Sequence, residues 1–79
     1  MGEKKKILVV DDELDFLGVI KLRLEKNNYE VVTATNGLEC LKKIKKDKPD
    51  AVLLDILMPK LDGLNTMPLP NVKTIFYGN

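Results

Sequence analysis

Three short apolar runs alternate with two amphipathic stretches, and this order constrains the fold more than any other feature of the chain. Lys6 to Val10 is a continuous branched-aliphatic run bounded by lysines and aspartates. It reads as a strand buried on both faces. From Glu13 to Lys26, Phe16, Ile20 and Leu24 recur every fourth residue, with Leu17 beside them, which is the spacing of a helix with one apolar stripe. Acidic residues crowd its start and basic residues its end, as the helix dipole favours. Asn27-Asn28 offers a stop, because asparagine tolerates left-handed dihedrals. Glu30 to Ala34 is a second, β-branched run. Thr35-Asn36-Gly37 supplies a cap before Leu38, Leu41 and Ile44, a second helical stripe that runs out between Lys46 and Pro49. Ala51 to Leu54 is the third run. The order β-α-β-α-β predicts an α/β fold with a parallel sheet and right-handed crossovers.

After Gly63 the pattern changes. Leu64 to Asn71 holds Pro68 and Pro70 and carries no helical stripe, while Val72 to Tyr77 reads as one more strand. With 79 residues the chain is one domain at most. A chain this short buries roughly 60–65% of its unfolded surface, so its core is thin. The net charge of +1 gives no global field for nucleic acid or membrane, and no run approaches a membrane span. Cys40 is the single cysteine, so an intrachain disulfide is excluded and a reducing, cytoplasmic setting is expected. Histidine is absent, which removes His-based acid–base chemistry and a histidine phosphodonor from this chain. The lysine-rich stretch Lys42 to Lys48 reads as a solvated helix face.

The chemistry gathers at the strand ends. In a parallel α/β sheet, ligands bind beyond the carboxyl ends of the strands. Asp11 and Asp12 follow the first run, and Asp55 follows the third. In the common doubly wound order 2-1-3 those strands are neighbours, so the three carboxylates are expected to converge. Two carboxylates about 5 Å apart repel by ~1 kcal/mol in water and ~3 kcal/mol at an effective dielectric of 20. Oxygen-only ligands at one point suit a hard cation such as Mg²⁺. Each aspartate alone has a plainer reading as a helix cap or strand-end turn; the three together favour the site.

The stretches "ILVVDDE" and "LLDILMPKLDG", with the spacing between them, resemble the receiver domain of two-component response regulators from about Lys4 to Leu64. The resemblance implies a flavodoxin-like fold, with residues 1–64 as the receiver unit and 65–79 as a tail outside the family pattern. It implies that Asp55 accepts a phosphoryl group from a histidine kinase or phosphotransfer protein, that Asp12 binds Mg²⁺ directly and that Asp11 assists. It further implies that the backbone carbonyl of Leu57 is a metal ligand and that Met58-Pro59 and Asp62-Gly63 shape the site. The resemblance implies a signalling phosphoacceptor rather than an enzyme. A full receiver continues through a third helix, a fourth strand ending in Thr or Ser and a fifth ending in Lys, and the chain stops before completing that pattern. Val72 to Tyr77 ends without the matching hydroxyl, Thr74 lies mid-strand, and Lys73 is out of place for the family lysine.

This shortening predicts that the third strand is an open edge, where a second copy pairs to make a homodimer through that edge and the tail. The alternative function is therefore a truncated or engineered half-domain that serves folding or self-assembly, with a vestigial acidic site. A phosphohydrolase is disfavoured because Asp55-Ile56-Leu57 lacks a second carboxylate two residues on. A nucleotide-binding relative is disfavoured because no glycine-rich loop follows the first strand. The remaining singled-out residues read as packing or loop: Met58, Pro59 and Lys60 in the loop, and Cys40, Tyr29 and Phe16 in the core or at its edge.

Overall fold

The structure is a computed structural model and describes residues 4–55 and 72–77. Six elements follow in order: β1 (Lys6–Val10), α1 (Leu14–Lys26), β2 (Glu30–Ala34), α2 (Gly37–Asp47), β3 (Ala51–Asp55) and β4 (Lys73–Tyr77). The strands form one parallel sheet in the order β2-β1-β3-β4. This is the doubly wound, flavodoxin-like arrangement. The chain turns one way from β1 to β2 and the other way from β2 to β3, so right-handed crossovers put α1 and α2 on opposite faces. The reversal makes the gap between β1 and β3 the topological switch point.

Burial follows the alternation of the strands. Leu8, Val10, Ala34, Val52 and Leu54 are buried and pack with Cys40 and Ile44 of α2, with Val72 half-buried against them. Each Val, Leu or Ile among them contributes about 1.5–3 kcal/mol relative to an exposed position. Val9 points to the other face, where Leu17 of α1 is also buried. Phe16, Ile20 and Leu24 are half-buried along the same helix, so the helical stripe expected there is the inward side. Asn28 closes α1 in the left-handed region at φ 71°. At the start of α2, Asn36 Oδ1 accepts from the Glu39 amide at 2.8 Å, and Glu39 Oε1 accepts from the Thr35 amide at 2.6 Å. This reciprocal pair satisfies two amides that the helix itself leaves without partners. The Thr35 amide bond holds the Glu39 carboxyl below its ordinary value, against the opposing effect of burial, with Lys43 and Lys42 adding to the lowering. Cys40, expected in the core or at its edge, is fully buried. Burial pushes its thiol up to about 11, which suits packing and not reactivity.

The expected open edge at β3 is corrected by the structure. β4 pairs with β3 along its whole length, from Ala51↔Lys73 to Asp55↔Tyr77. The chain therefore satisfies that edge from its own sequence: a five-residue ladder closes, and Val72 adds apolar contact beneath it. A homodimer built through the β3 edge loses the feature that motivated it. The strand expected over 72–77 is β4. The connection between β3 and β4, with the expected doubt over a helical crossover, lies outside the described residues. Among the described residues no helix is long and apolar enough to cross a membrane.

Candidate functional site

The register of the sheet brings the acidic residues together. Val10 of β1 is level with Leu54 of β3. One step further along each chain comes Asp11 on one side and Asp55 on the other, both on the α1 face. Asp11, Asp12 and Asp55 each offer a carboxylate oxygen within 4.8 Å of the others. Asp11 is 0% exposed and Asp55 4%, whereas Asp12 is exposed. The cluster thus has a buried floor and one open side. Its donors are all hard oxygens, and three carboxylates in that space fit a small divalent cation better than any soft metal.

Asp11 is held from several directions. Its amide donates to the Ala34 carbonyl at 3.1 Å, which extends the β1–β2 pairing by one residue. Its Oδ1 accepts from the Glu13 amide at 2.9 Å, forming the turn that leads into α1. The turn-former reading of this aspartate is therefore realised alongside the convergence. Glu13 itself makes no side-chain cap. Asp55 is engaged by a further interaction of its own. Leu57, Met58, Pro59, Lys60, Asp62 and Gly63, to which the sequence assigns metal, loop or solvent roles, lie outside the described residues.

One contributor escaped the sequence. β4 does bring a hydroxyl to the site, from Tyr77. The phenol donates to Asp11 Oδ2 at 2.9 Å and lies 3.1 Å from the Val10 carbonyl oxygen. Tyr77 pairs with Asp55 in the ladder, so its side chain starts level with the site and reaches over β3 to β1. Phe16 of α1 supports the ring, with centroids 5.8 Å apart and planes inclined by 33°. Burial pushes the phenol above its ordinary range, and the Asp11 hydrogen bond and the negative charges of Asp11, Asp55 and Asp12 push it further. The hydroxyl therefore keeps its proton and remains a donor. The available signal was positional: a residue with a long polar side chain at the carboxyl end of a strand paired with β3. Thr74 and Lys73 do not fill this place. They pair with Val52 and Ala51, toward the opposite end of the sheet, and the Thr74 hydroxyl is buried without a hydrogen-bond partner.

Comparison with known proteins agrees with this geometry. The family profile of the response regulator receiver domain matches residues 7–69. The alkaline phosphatase synthesis transcriptional regulatory protein PhoP of Bacillus subtilis is 50% identical over 60 residues, covering 76% of this chain and 25% of that protein. The transcriptional regulatory protein PrrA of Mycobacterium tuberculosis is 42% identical over 62 residues, covering 78% of this chain and 27% of PrrA. This chain thus spans about a quarter of the length of these relatives. Among solved structures, a response regulator signal receiver domain from Bermanella marisrubri superposes with a TM-score of 0.80 at 31% identity, over 92% of this chain and 67% of that one. The chemotaxis protein CheY4 of Vibrio cholerae superposes with a TM-score of 0.71 at 35% identity, over 76% and 50% of the two chains.

Proposed function

This chain belongs to the response regulator receiver family, and from that membership we propose that it is a cytoplasmic phosphoacceptor that takes a phosphoryl group on Asp55 from the phosphohistidine of a histidine kinase or phosphotransfer protein. Receiver domains are signalling phosphoacceptors rather than enzymes, and they pair with histidine kinases. The observation that carries the reading for this chain is the meeting of three carboxylate oxygens within 4.8 Å at the switch point.

The roles follow from burial and position. Asp55 supplies the nucleophile: a carboxylate oxygen attacks phosphorus in line, the new O–P bond forms as the N–P bond breaks, and the leaving imidazole nitrogen takes up a proton. Asp12, on the open side, and Asp11, on the floor, would hold Mg²⁺ together with Asp55, and the Leu57 carbonyl is proposed as a further ligand. When bound, the cation neutralises the carboxylate cluster and the phosphoryl oxygens. The burial of Asp11 and Asp55 limits water at the acceptor, which strengthens each of these electrostatic contacts.

Beryllofluoride with Mg²⁺ mimics the acyl phosphate and tests the proposal directly. The chain is expected to bind it stoichiometrically, and Asp55→Asn is expected to abolish binding while leaving the circular dichroism spectrum unchanged. A folded chain that ignores the analogue, or an Asp55→Asn variant that still binds it, would refute the reading.

A further inference from the structure

We propose that Tyr77 is a positioning residue for the cation site, its hydroxyl fixing the rotation of the Asp11 carboxylate so that one oxygen stays within reach of Asp12 and Asp55. The inference rests on the reading of those three aspartates as the cation site, and goes beyond it by assigning a role to a side chain outside the acidic cluster.

Asp11 is fully buried, so water does not orient it. Two donors do. The Glu13 amide takes Oδ1 and the Tyr77 hydroxyl takes Oδ2. One donor on each oxygen sets the plane of the group, because rotation about the Cβ–Cγ bond breaks both hydrogen bonds together. The Glu13 amide comes from the adjoining turn and moves with Asp11. The Tyr77 hydroxyl comes from 66 residues away and ties the carboxylate to the far side of the sheet. Its own position is set twice, by the β3–β4 ladder and by the Phe16 ring.

The chemistry of the donor suits the task. A phenol O–H orients a carboxylate without adding positive charge, whereas a lysine or arginine at this point would compete with a cation. Each carboxylate oxygen accepts more than one bond, so Oδ2 keeps a lone pair while Tyr77 donates to it. The Val10 carbonyl, 3.1 Å from the same hydroxyl, is a second acceptor for its single proton. The hydroxyl is thus not stranded if Asp11 shifts toward a cation. Outer partners that orient metal-binding groups typically change metal affinity by about 10–100-fold when removed.

The test is a Mg²⁺ titration of this 79-residue chain and its Tyr77→Phe variant, following the amide resonances of Asp11, Asp12 and Glu13. The variant keeps the ring against Phe16 and loses only the oxygen. The expected result is a dissociation constant weaker by about tenfold, with a lower melting temperature in chelator because the buried Asp11 Oδ2 loses its donor. Equal or tighter binding by the variant overturns the proposal. A second readout needs only the wild-type chain. The ¹³Cζ resonance of Tyr77 should move with Mg²⁺ at the same midpoint as the Asp11 amide, while that of Tyr29, near the opposite end of the sheet, stays fixed. If Tyr77→Phe fails to fold, this readout decides, and a static Tyr77 resonance overturns the assignment. A wild-type chain without saturable Mg²⁺ binding removes the cation site itself and this proposal with it. Binding that is indifferent to Tyr77 removes the proposal alone.

Discussion

The carboxylate cluster stores repulsion that a single substitution should release. Asp55 is at least 43 residues from Asp11 and Asp12 in sequence, so their mutual repulsion belongs to the folded state. At 4.8 Å, the longest separation within the cluster, the buried Asp11–Asp55 pair repels by ~3.5 kcal/mol at an effective dielectric of 20, and the pair with exposed Asp12 by ~0.9 kcal/mol in water. Asp55→Asn removes both terms. Against this, Asp55 is engaged by a further interaction, and whatever part of it depends on the charge offsets some of the gain. Small rotations of the carboxylates lower the repulsion further. The expected net effect in chelator is a stabilisation of about 1–2 kcal/mol, and each kcal/mol raises the melting temperature of a domain this size by roughly 4–8 °C. Mg²⁺ should invert the order. At a hundred times its dissociation constant it stabilises the wild-type chain by about 2.7 kcal/mol, and the variant forgoes most of that. Thermal unfolding of both chains, in EDTA and in excess Mg²⁺, reads the crossing. A variant less stable than wild type in EDTA, or equal gains from Mg²⁺ in both chains, would refute the electrostatic argument.

Two further predictions concern the scaffold. Thr74 carries a buried hydroxyl without a hydrogen-bond partner, so Thr74→Val, with nearly the same shape and a higher strand preference, should raise the urea midpoint by the equivalent of about 1 kcal/mol; a lower midpoint would show that the hydroxyl is satisfied after all. The carboxyl of Glu39 lies below its ordinary value of 4.5 in the folded state, chiefly through the Thr35 amide. A lowered carboxyl stabilises the fold above its unfolded pKa, and that contribution is lost as pH falls through the folded value. Glu39→Gln should therefore be less stable than wild type at about pH 7 and close to it at about pH 3. A stability difference that ignores pH would show that the charge on Glu39 plays no part.

The elements were legible because their signals are local. Helical spacing at Phe16, Ile20 and Leu24, the Asn36 cap and the aliphatic run before Asp55 each speak for a few consecutive residues. The meeting of Asp11 and Asp55 was legible for a related reason: in a parallel pair, two strands that each end in aspartate bring those residues level when their last apolar residues, Val10 and Leu54, are in register. The partner of β3 was not legible, because pairing between β3 and β4 is a long-range choice and residues 64–71, which precede β4, carry no periodicity. Tyr77 was missed for a different reason. A search for a hydroxyl by family position asks for a short side chain pointing at the acceptor, but a phenol acts at the far end of its ring. From β4 it passes over β3 and reaches Asp11 on β1. The need it meets follows from the fold itself. A doubly wound sheet that buries Asp11 at its switch point must supply that carboxylate with donors, and Glu13 satisfies only one of its two oxygens. The strand that pairs with β3 supplies the other, so the pairing that removes the basis for dimerisation at β3 also completes the acidic site.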